Sequence, residues 1–326
     1  MSPANGSREE PVAGRARRLG GVCLAVGVLA SCAAQTTGDA TPDSRHATVQ
    51  AATVDSDPVP TTLEGRIGKA VSDAADRGAD LTLALLDRHQ NRYVSFADTE
   101  PFATASVAKL FIADDLLYRE STDELELSED EHTLVARMLE DSDDDAANEL
   151  WNEYGASDLV LDVASRYALS TTSAPYDDNW WNTETTAADL VGYYSAVLDG
   201  RGGLDAPHRD ELLGYLRNSH PTAADGYDQR FGIPDGLPDE TVKAVKQGWM
   251  CCLDDRWTHL STGIVGADDR YVLVLLSRED LDYGDEDTDY YPDTSLTAAV
   301  DDASAAHARE TITDAARTLF PQRRID

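Results

Sequence analysis

The stretch Phe102-Ala-Thr-Ala-Ser106-Val-Ala-Lys109-Leu-Phe-Ile-Ala-Asp-Asp-Leu-Leu-Tyr118 decides how the rest of the chain is read. Ala105, Ala108, Leu110, Ile112, Ala113, Leu116 and Leu117 recur with the spacing of a buried helix, which predicts a helix over these residues. Ser106 and Lys109 then sit one turn apart near its start. A lysine so placed accepts the serine proton only if burial or neighbouring cations lower its affinity for its own proton. The N-terminal end of a helix adds free backbone N–H groups and partial positive charge where an oxyanion would form. Ser-x-x-Lys is short enough to arise by chance, so the remainder of the chain has to supply the context.

On the N-terminal side, Thr62 to Arg77 places Leu63, Ile67, Ala70, Val71 and Ala74 on one helical face and ends at Gly78. Leu81–Leu86 and Arg92–Phe96 read as strands joined by the polar turn Asp87–Asn91. On the C-terminal side, residues 121 to about 218 read as mostly helical. Ser128 and Glu131 fit a capping box, and further helices are expected from Asp144 through Trp151, over Ser157–Tyr167 and over Glu184–Leu198. Leu169–Asn182, rich in Ser, Thr, Asp and aromatic residues, reads as an ordered surface loop. Strands return at Thr241–Lys246, Trp257–Val265 and Arg270–Leu276, with a hairpin turn at Gly266–Asp269 and a last helix over Ser295–Leu319. This order predicts an α+β fold: one antiparallel sheet flanked by N- and C-terminal helices, with an inserted all-helical lobe over about 121–220.

The 326 residues carry 27 Lys and Arg against 61 Asp and Glu, a formal net charge of -34, with 41% hydrophobic residues. That composition supports a packed core, and such a charge repels nucleic acid and anionic lipid headgroups. At the N-terminus, Arg15, Arg17 and Arg18 precede the apolar run Leu19–Ala30, too short to span a bilayer, as in an export signal. Leu29-Ala-Ser-Cys32 resembles a bacterial lipobox, which implies cleavage before Cys32 and lipid attachment to its sulfur; the adjacent Arg17-Arg18 leaves the export route open. Residues 33 to 60 turn to Ala, Thr, Asp, Ser and Pro without apolar periodicity, the composition of a tether. The expected organisation is a signal peptide (1–31), a tether (32–60) and one folded domain (61–322), anchored to the cell membrane on its extracytoplasmic side.

Two further stretches bear on Ser106: Ser142-Asp-Asp144-Asp-Ala-Ala-Asn148 between two expected helices, and Val245-Lys246-Gln247-Gly248-Trp249 on an expected edge strand. A serine–lysine pair, a serine in the opposite lobe and an edge-strand lysine, in this order, resemble the penicillin-recognising serine enzymes. Within them the chain is most similar to class A β-lactamases and to the β-lactamase-like lipoproteins of actinobacteria. The resemblance implies Ser106 as acylated nucleophile, Lys109 as its base or part of a relay to one, and Ser142 as proton donor to the leaving nitrogen. It implies Lys246 as the holder of a substrate carboxylate, and backbone N–H groups of Ser106 and of Trp249 or a neighbour as the oxyanion hole. Gly248 would be glycine because a side chain there would crowd the acyl group. The implied substrates are β-lactams or D-alanyl peptides of the cell wall, taken without a cofactor.

The departures from that family point elsewhere. Asp144 stands where the family has an asparagine that donates to the substrate; an ionised Asp accepts only, and would pair with Lys109. Gln247 replaces the family's hydroxyl residue, with an amide in its place. Leu169–Asn182 holds no Glu to activate the deacylating water, only Asp177 and Asp178, so rapid β-lactam hydrolysis is not expected. These departures support an alternative, a non-catalytic envelope-binding lipoprotein with a degenerate site. Ser142 is also a plausible N-cap, and Trp180, Trp181, Trp249 and Trp257 are read as lobe-to-sheet packing. Cys251 and Cys252 are either free thiols or bridged to each other. The seven histidines are scattered without metal-ligand spacing, and Asp285–Asp289 lacks the glycine and distal glutamate of a calcium loop, so no metal is expected.

Overall fold

The computed structural model describes residues 59–283 and 299–325. The export signal, Cys32, most of the tether and the acidic run Asp285–Asp289 lie outside the described residues, as does the first part of the expected last helix. Among the described residues no helix is long and apolar enough to cross a membrane.

Helix α1 (Leu63–Asp76) starts where the Thr62 hydroxyl accepts from Gly65 N–H at 3.1 Å, and ends at Gly78, whose φ of +82° suits glycine. Strands β1 (Ala79–Asp87) and β2 (Arg92–Phe96) form the expected hairpin. β5 (Lys243–Leu253), β6 (Arg256–Val265) and β7 (Tyr271–Asp280) complete an antiparallel sheet in the order β2-β1-β7-β6-β5. Placing β7 beside β1 closes the N-terminal hairpin onto the C-terminal strands. It also leaves β5 at the edge, as expected for the strand that carries Lys246.

Strand alternation divides the core. On β7, Val272, Val274 and Leu276 face the helical lobe, whereas Leu273 and Leu275 face α1 and α9 (Ala303–Leu319). Both faces are covered, so the central strand reads as a continuous apolar run rather than an alternating one. The short helix α8 (Ile233–Gly236) packs on the α9 side.

The central stretch departs from a single helix. Phe102–Ala103 is a short strand, β3, paired with β4 (Glu184–Thr185); Ala105–Ala108 is a 3₁₀ turn; the α-helix α2 (Lys109–Ser121) begins only at Lys109. Ala105 has φ +44°, a left-handed value that no α-helix admits, which is why the apolar pattern starts before the helix does. α2 then runs through the lobe among α3 (Glu129–Glu140), α4 (Asp144–Tyr154), α5 (Ser157–Tyr167), α6 (Ala187–Leu198) and α7 (Ala206–Arg217). The Ser128–Glu131 capping box is present in both directions. A buried polar knot ties α2 to α5 and α6. The fully buried Asp114 accepts from Arg166 at 2.6 Å, from the Tyr167 hydroxyl at 2.7 Å and from the Tyr193 hydroxyl at 3.1 Å.

Candidate active site

Ser106 and Lys109 lie at the join between the 3₁₀ turn and α2, both buried, with Lys109 Nζ 3.0 Å from Ser106 Oγ. The left-handed backbone at Ala105 is a local strain immediately before the serine. Across the cleft Ser142 also has a left-handed φ, +54°, and it is not the cap of α4: Asp143 is, accepting from Ala146 N–H at 3.1 Å. Ser142 Oγ is left to accept from Lys246 Nζ at 2.7 Å, and Ser142 O accepts from Lys109 Nζ at 2.6 Å. One residue therefore touches both lysines, and all three motifs meet.

Lys109 has a further partner. Its Nζ is 2.5 Å from Asp144 Oδ1, and the Trp180 ring lies over it at 4.7 Å from the ring centroid. Burial lowers the Lys109 pKa, while the charges of Asp144 and then Asp143 oppose that fall. Lys246, also buried, is drawn well below the ordinary lysine value by burial first and then by the charge of Lys109; Asp144 only partly offsets this. No carboxylate lies in hydrogen-bond contact with Lys246 among the described residues, and its second contact is Gln247 O at 3.1 Å.

Lys246 and Gln247 are consecutive on a strand, so they point to opposite faces. Lys246 reaches the lobe, whereas Gln247 turns towards α8 and donates to Phe231 O at 2.5 Å, away from the cleft. Gly248 faces the serine turn: a Cβ there would lie 2.7 Å from Thr104 O and 3.3 Å from Ser106 N. The glycine lets the edge strand close on the backbone of the nucleophile turn, so the first group a side chain would strike is that backbone rather than an acyl group. Since β5 is an edge strand, the N–H groups it turns away from β6 face this turn.

A cavity of about 290 Å³ opens over Ser106, walled by Trp180, Trp181, Trp249, Asp144, Asn182 and Asp225 and by the β5 end at Met250, Cys251 and Leu253. Three of the four tryptophans read as packing therefore line the cleft, and only Trp257 is buried away from it. Trp249 is fixed from behind by Tyr227, stacked at 4.7 Å and 9°, whose hydroxyl meets His259 Nε2 at 2.7 Å. Asp225, in the loop before α8, had no signal in the sequence. Burial raises its pKa, against the Tyr227 N–H that it accepts at 2.8 Å. Cys251 and Cys252 are joined to each other by a disulfide.

The Leu169–Asn182 loop is ordered, but neither of its aspartates lines the cavity. Asp177 accepts from Asn179 N–H at 3.2 Å, from Asn179 Nδ2 at 2.7 Å and from Asn182 Nδ2 at 2.9 Å, and so holds the loop together. Asp178 O accepts from Trp151 Nε1 at 3.0 Å. The loop instead sends Trp180 over Lys109, anchored by its own Nε1 to Asn148 Oδ1 at 2.8 Å. Among the described residues no group of three or more His, Cys, Asp or Glu is arranged to hold a metal ion.

This fold is that of the class A β-lactamases. A β-lactamase from Chitinophaga pinensis superposes with a TM-score of 0.61 at 14% identity, over 79% of this chain and 98% of that one. The class A β-lactamase from Mycobacterium abscessus gives a TM-score of 0.57 at 16% identity, over 79% and 98%. The family described as "Beta-lactamase enzyme family" matches residues 130–319. The chain is 46% identical over 263 residues to the protein named "Putative lipoprotein LppW" of Mycobacterium tuberculosis, 81% of this chain and 76% of that relative. The chain belongs to the β-lactamase enzyme family.

Proposed function

We propose that the protein is an extracytoplasmic serine acyl-transfer enzyme that forms an acyl-enzyme on Ser106 and releases it slowly. Its substrates are amides of the β-lactam or D-alanyl-peptide kind. The folded domain (61–322) follows an export signal (1–31) and a tether (32–60) that begins with a lipid-bearing Cys32, which holds it at the membrane. The observation that carries the reading is the convergence of Ser106 Oγ on Lys109 Nζ at 3.0 Å, with Ser142 and Lys246 joined opposite at 2.7 Å.

In acylation, Ser106 Oγ bonds to the carbonyl carbon while its proton passes to the neutral amine of Lys109, the form that burial favours and the charge of Asp144 opposes. The C–N bond then breaks, and the nitrogen takes the Ser142 hydroxyl proton, which is made good by the proton that Lys109 took from Ser106. The backbone N–H groups of Ser106 and of Trp249 are the proposed oxyanion donors. Water would free the acyl group, but Trp180 occupies the side of Lys109 that the loop covers, and no loop carboxylate lines the cavity. Slow release follows. The experiment is acylation by a penicillin followed by intact mass, with Ser106→Ala as control.

The Lys109–Asp144 ion pair favours a second reading, a binding protein that has kept the cleft and lost turnover. The same experiment separates the two, because only the enzyme takes a covalent adduct on Ser106.

A further inference from the structure

Resting on the reading of Ser106 as the acylated serine, we infer that the Cys251–Cys252 disulfide is a thiol–disulfide exchange site in the wall of that cleft. Its co-reactant is a dithiol, and the bridged form is the one whose cleft is shaped for substrate. Three observations carry this. First, the pair is at the cleft: Cys251 lines the cavity over Ser106 together with Met250 and Leu253, and Trp181 and Trp249 belong to the same walls.

Second, the pair sits where the sheet holds its chain least. β5 pairs residue for residue with β6 up to Met250, opposite Thr258, and the pairing resumes only at Leu253, opposite Arg256. Cys251 and Cys252 thus stand opposite the single residue Trp257, a β-bulge in which one residue is left without a ladder partner. β5 is also the edge strand, so among the described residues no further strand supports this segment from its other side. The bond between the two cysteines therefore does what the ladder does elsewhere, and fixes the chain at the end of the cleft. Third, the pair is open to exchange, which requires a thiolate to reach one sulfur. Both cysteines are half-buried, unlike the sealed Trp257 opposite them, and Leu253 beside them is exposed.

The exchange is a two-electron reduction. A thiolate of the dithiol attacks one cysteine sulfur, the S–S bond breaks, and the other cysteine leaves as a thiolate. The second thiol of the reductant then gives up its proton to that thiolate and displaces the first cysteine. The dithiol ends as a disulfide, and Cys251 and Cys252 end as thiols. Without its bond the bulge relaxes, and the shift reaches Trp249, two residues earlier on β5, whose N–H is a proposed oxyanion donor and whose side chain lines the cavity.

The test uses the full chain in nonionic micelles, reduced with dithiothreitol and then freed of it without air, with alkylation and intact mass counting the thiols gained. Reduction should expose two new thiols, and acylation of Ser106 by a penicillin should then slow by about tenfold or more, as when a positioning group is displaced. Reoxidation should restore the rate. The double variant Cys251→Ser with Cys252→Ser, which cannot form the bond, should react as slowly as the reduced parent and ignore dithiothreitol. Tryptophan fluorescence supplies a readout without chemistry: the emission should shift on reduction of the parent and stay fixed in the double variant. Should the double variant not fold, the parent before reduction, after it and after reoxidation still decides. A pair that dithiothreitol does not reduce overturns the inference, as does a reduced parent with unchanged rate and emission. A double variant that dithiothreitol slows as much as the parent overturns it too. If the parent takes no acyl group in either state, yet its emission shifts reversibly with the pair, the enzyme reading fails and the exchange site stands. If both states are acylated alike, the exchange site fails and the enzyme reading stands.

Discussion

Lys109 and Asp144 form an ion pair of 2.5 Å in which the lysine is fully buried and the carboxylate reaches solvent. Under the proposed mechanism the pair would restrain Ser106, because a base must first lose its proton and the charge of Asp144 favours the charged lysine. The residue that most resembles a flaw against the family pattern is thus bonded directly to the proposed base.

Replacing Asp144→Asn removes that carboxylate and restores an amide donor facing the cavity. Lys109 then loses its opposing charge, so burial dominates and the neutral amine becomes more accessible. Acylation of Ser106 should quicken by about tenfold to a hundredfold, within the range a positioned base contributes, and its pH profile should move to lower pH. Stopped-flow acylation by a penicillin measures this, and an unchanged rate and profile would show that Asp144 does not restrain Lys109.

Gly248→Ala puts a methyl 2.7 Å from Thr104 O, a backbone atom that cannot swing aside. The cost should be about 1–3 kcal/mol of stability, typical of overpacking. Acylation should slow as well, since β5 would move away from Ser106 N. Urea unfolding with acylation rates checks both, and a variant as stable as the parent would mean that the strand and turn are less closely apposed.

Several features were legible because they depend on local chemistry. The Thr62 cap, the Gly78 stop, the Ser128–Glu131 box and the covered strands all follow from side-chain type at a given spacing. The three motifs and the edge position of Lys246 were legible too, by order and resemblance. What failed depended on backbone geometry or on distant neighbours. Ala105 and Ala108 favour helix by propensity, yet the pairing of β3 with β4 and the left-handed Ala105 delay α2 until Lys109. Ser142-Asp143-Asp144 offers successive good caps, and only tertiary contact with Lys246 decides that Asp143 takes the task. The face of Gln247 could have been found by applying strand alternation from Lys246. Asp225 could not, because it reaches the cleft through a loop with no motif.

Arg166→Met leaves the buried Asp114 with only the hydroxyls of Tyr167 and Tyr193. Removing one partner of a buried pair should cost about 3–5 kcal/mol. Thermal unfolding should fall by on the order of ten degrees. A variant that melts with the parent would show that the knot contributes little.

Asp87 supplies a pH signature far from the cleft. Arg270 holds its carboxyl down at about 2 from 3.8, with a bond of 2.7 Å. A depressed folded value means the stabilisation is fully present above the unfolded value near 3.8 and is lost as pH falls through about 2. The gap in melting temperature between the parent and Asp87→Asn should therefore be constant near neutrality and close over that acid range. A gap that persists unchanged to the lowest pH would mean that the charge on Asp87 is not what stabilises the fold.

The measurement that bears most directly on the central claim is the intact mass of the full chain after exposure to a penicillin, beside Ser106→Ala. A mass increase of one penicillin that persists for hours in the parent and is absent from the variant is the expected result. No increase in either protein, or an increase that the variant shares, would contradict acylation at Ser106.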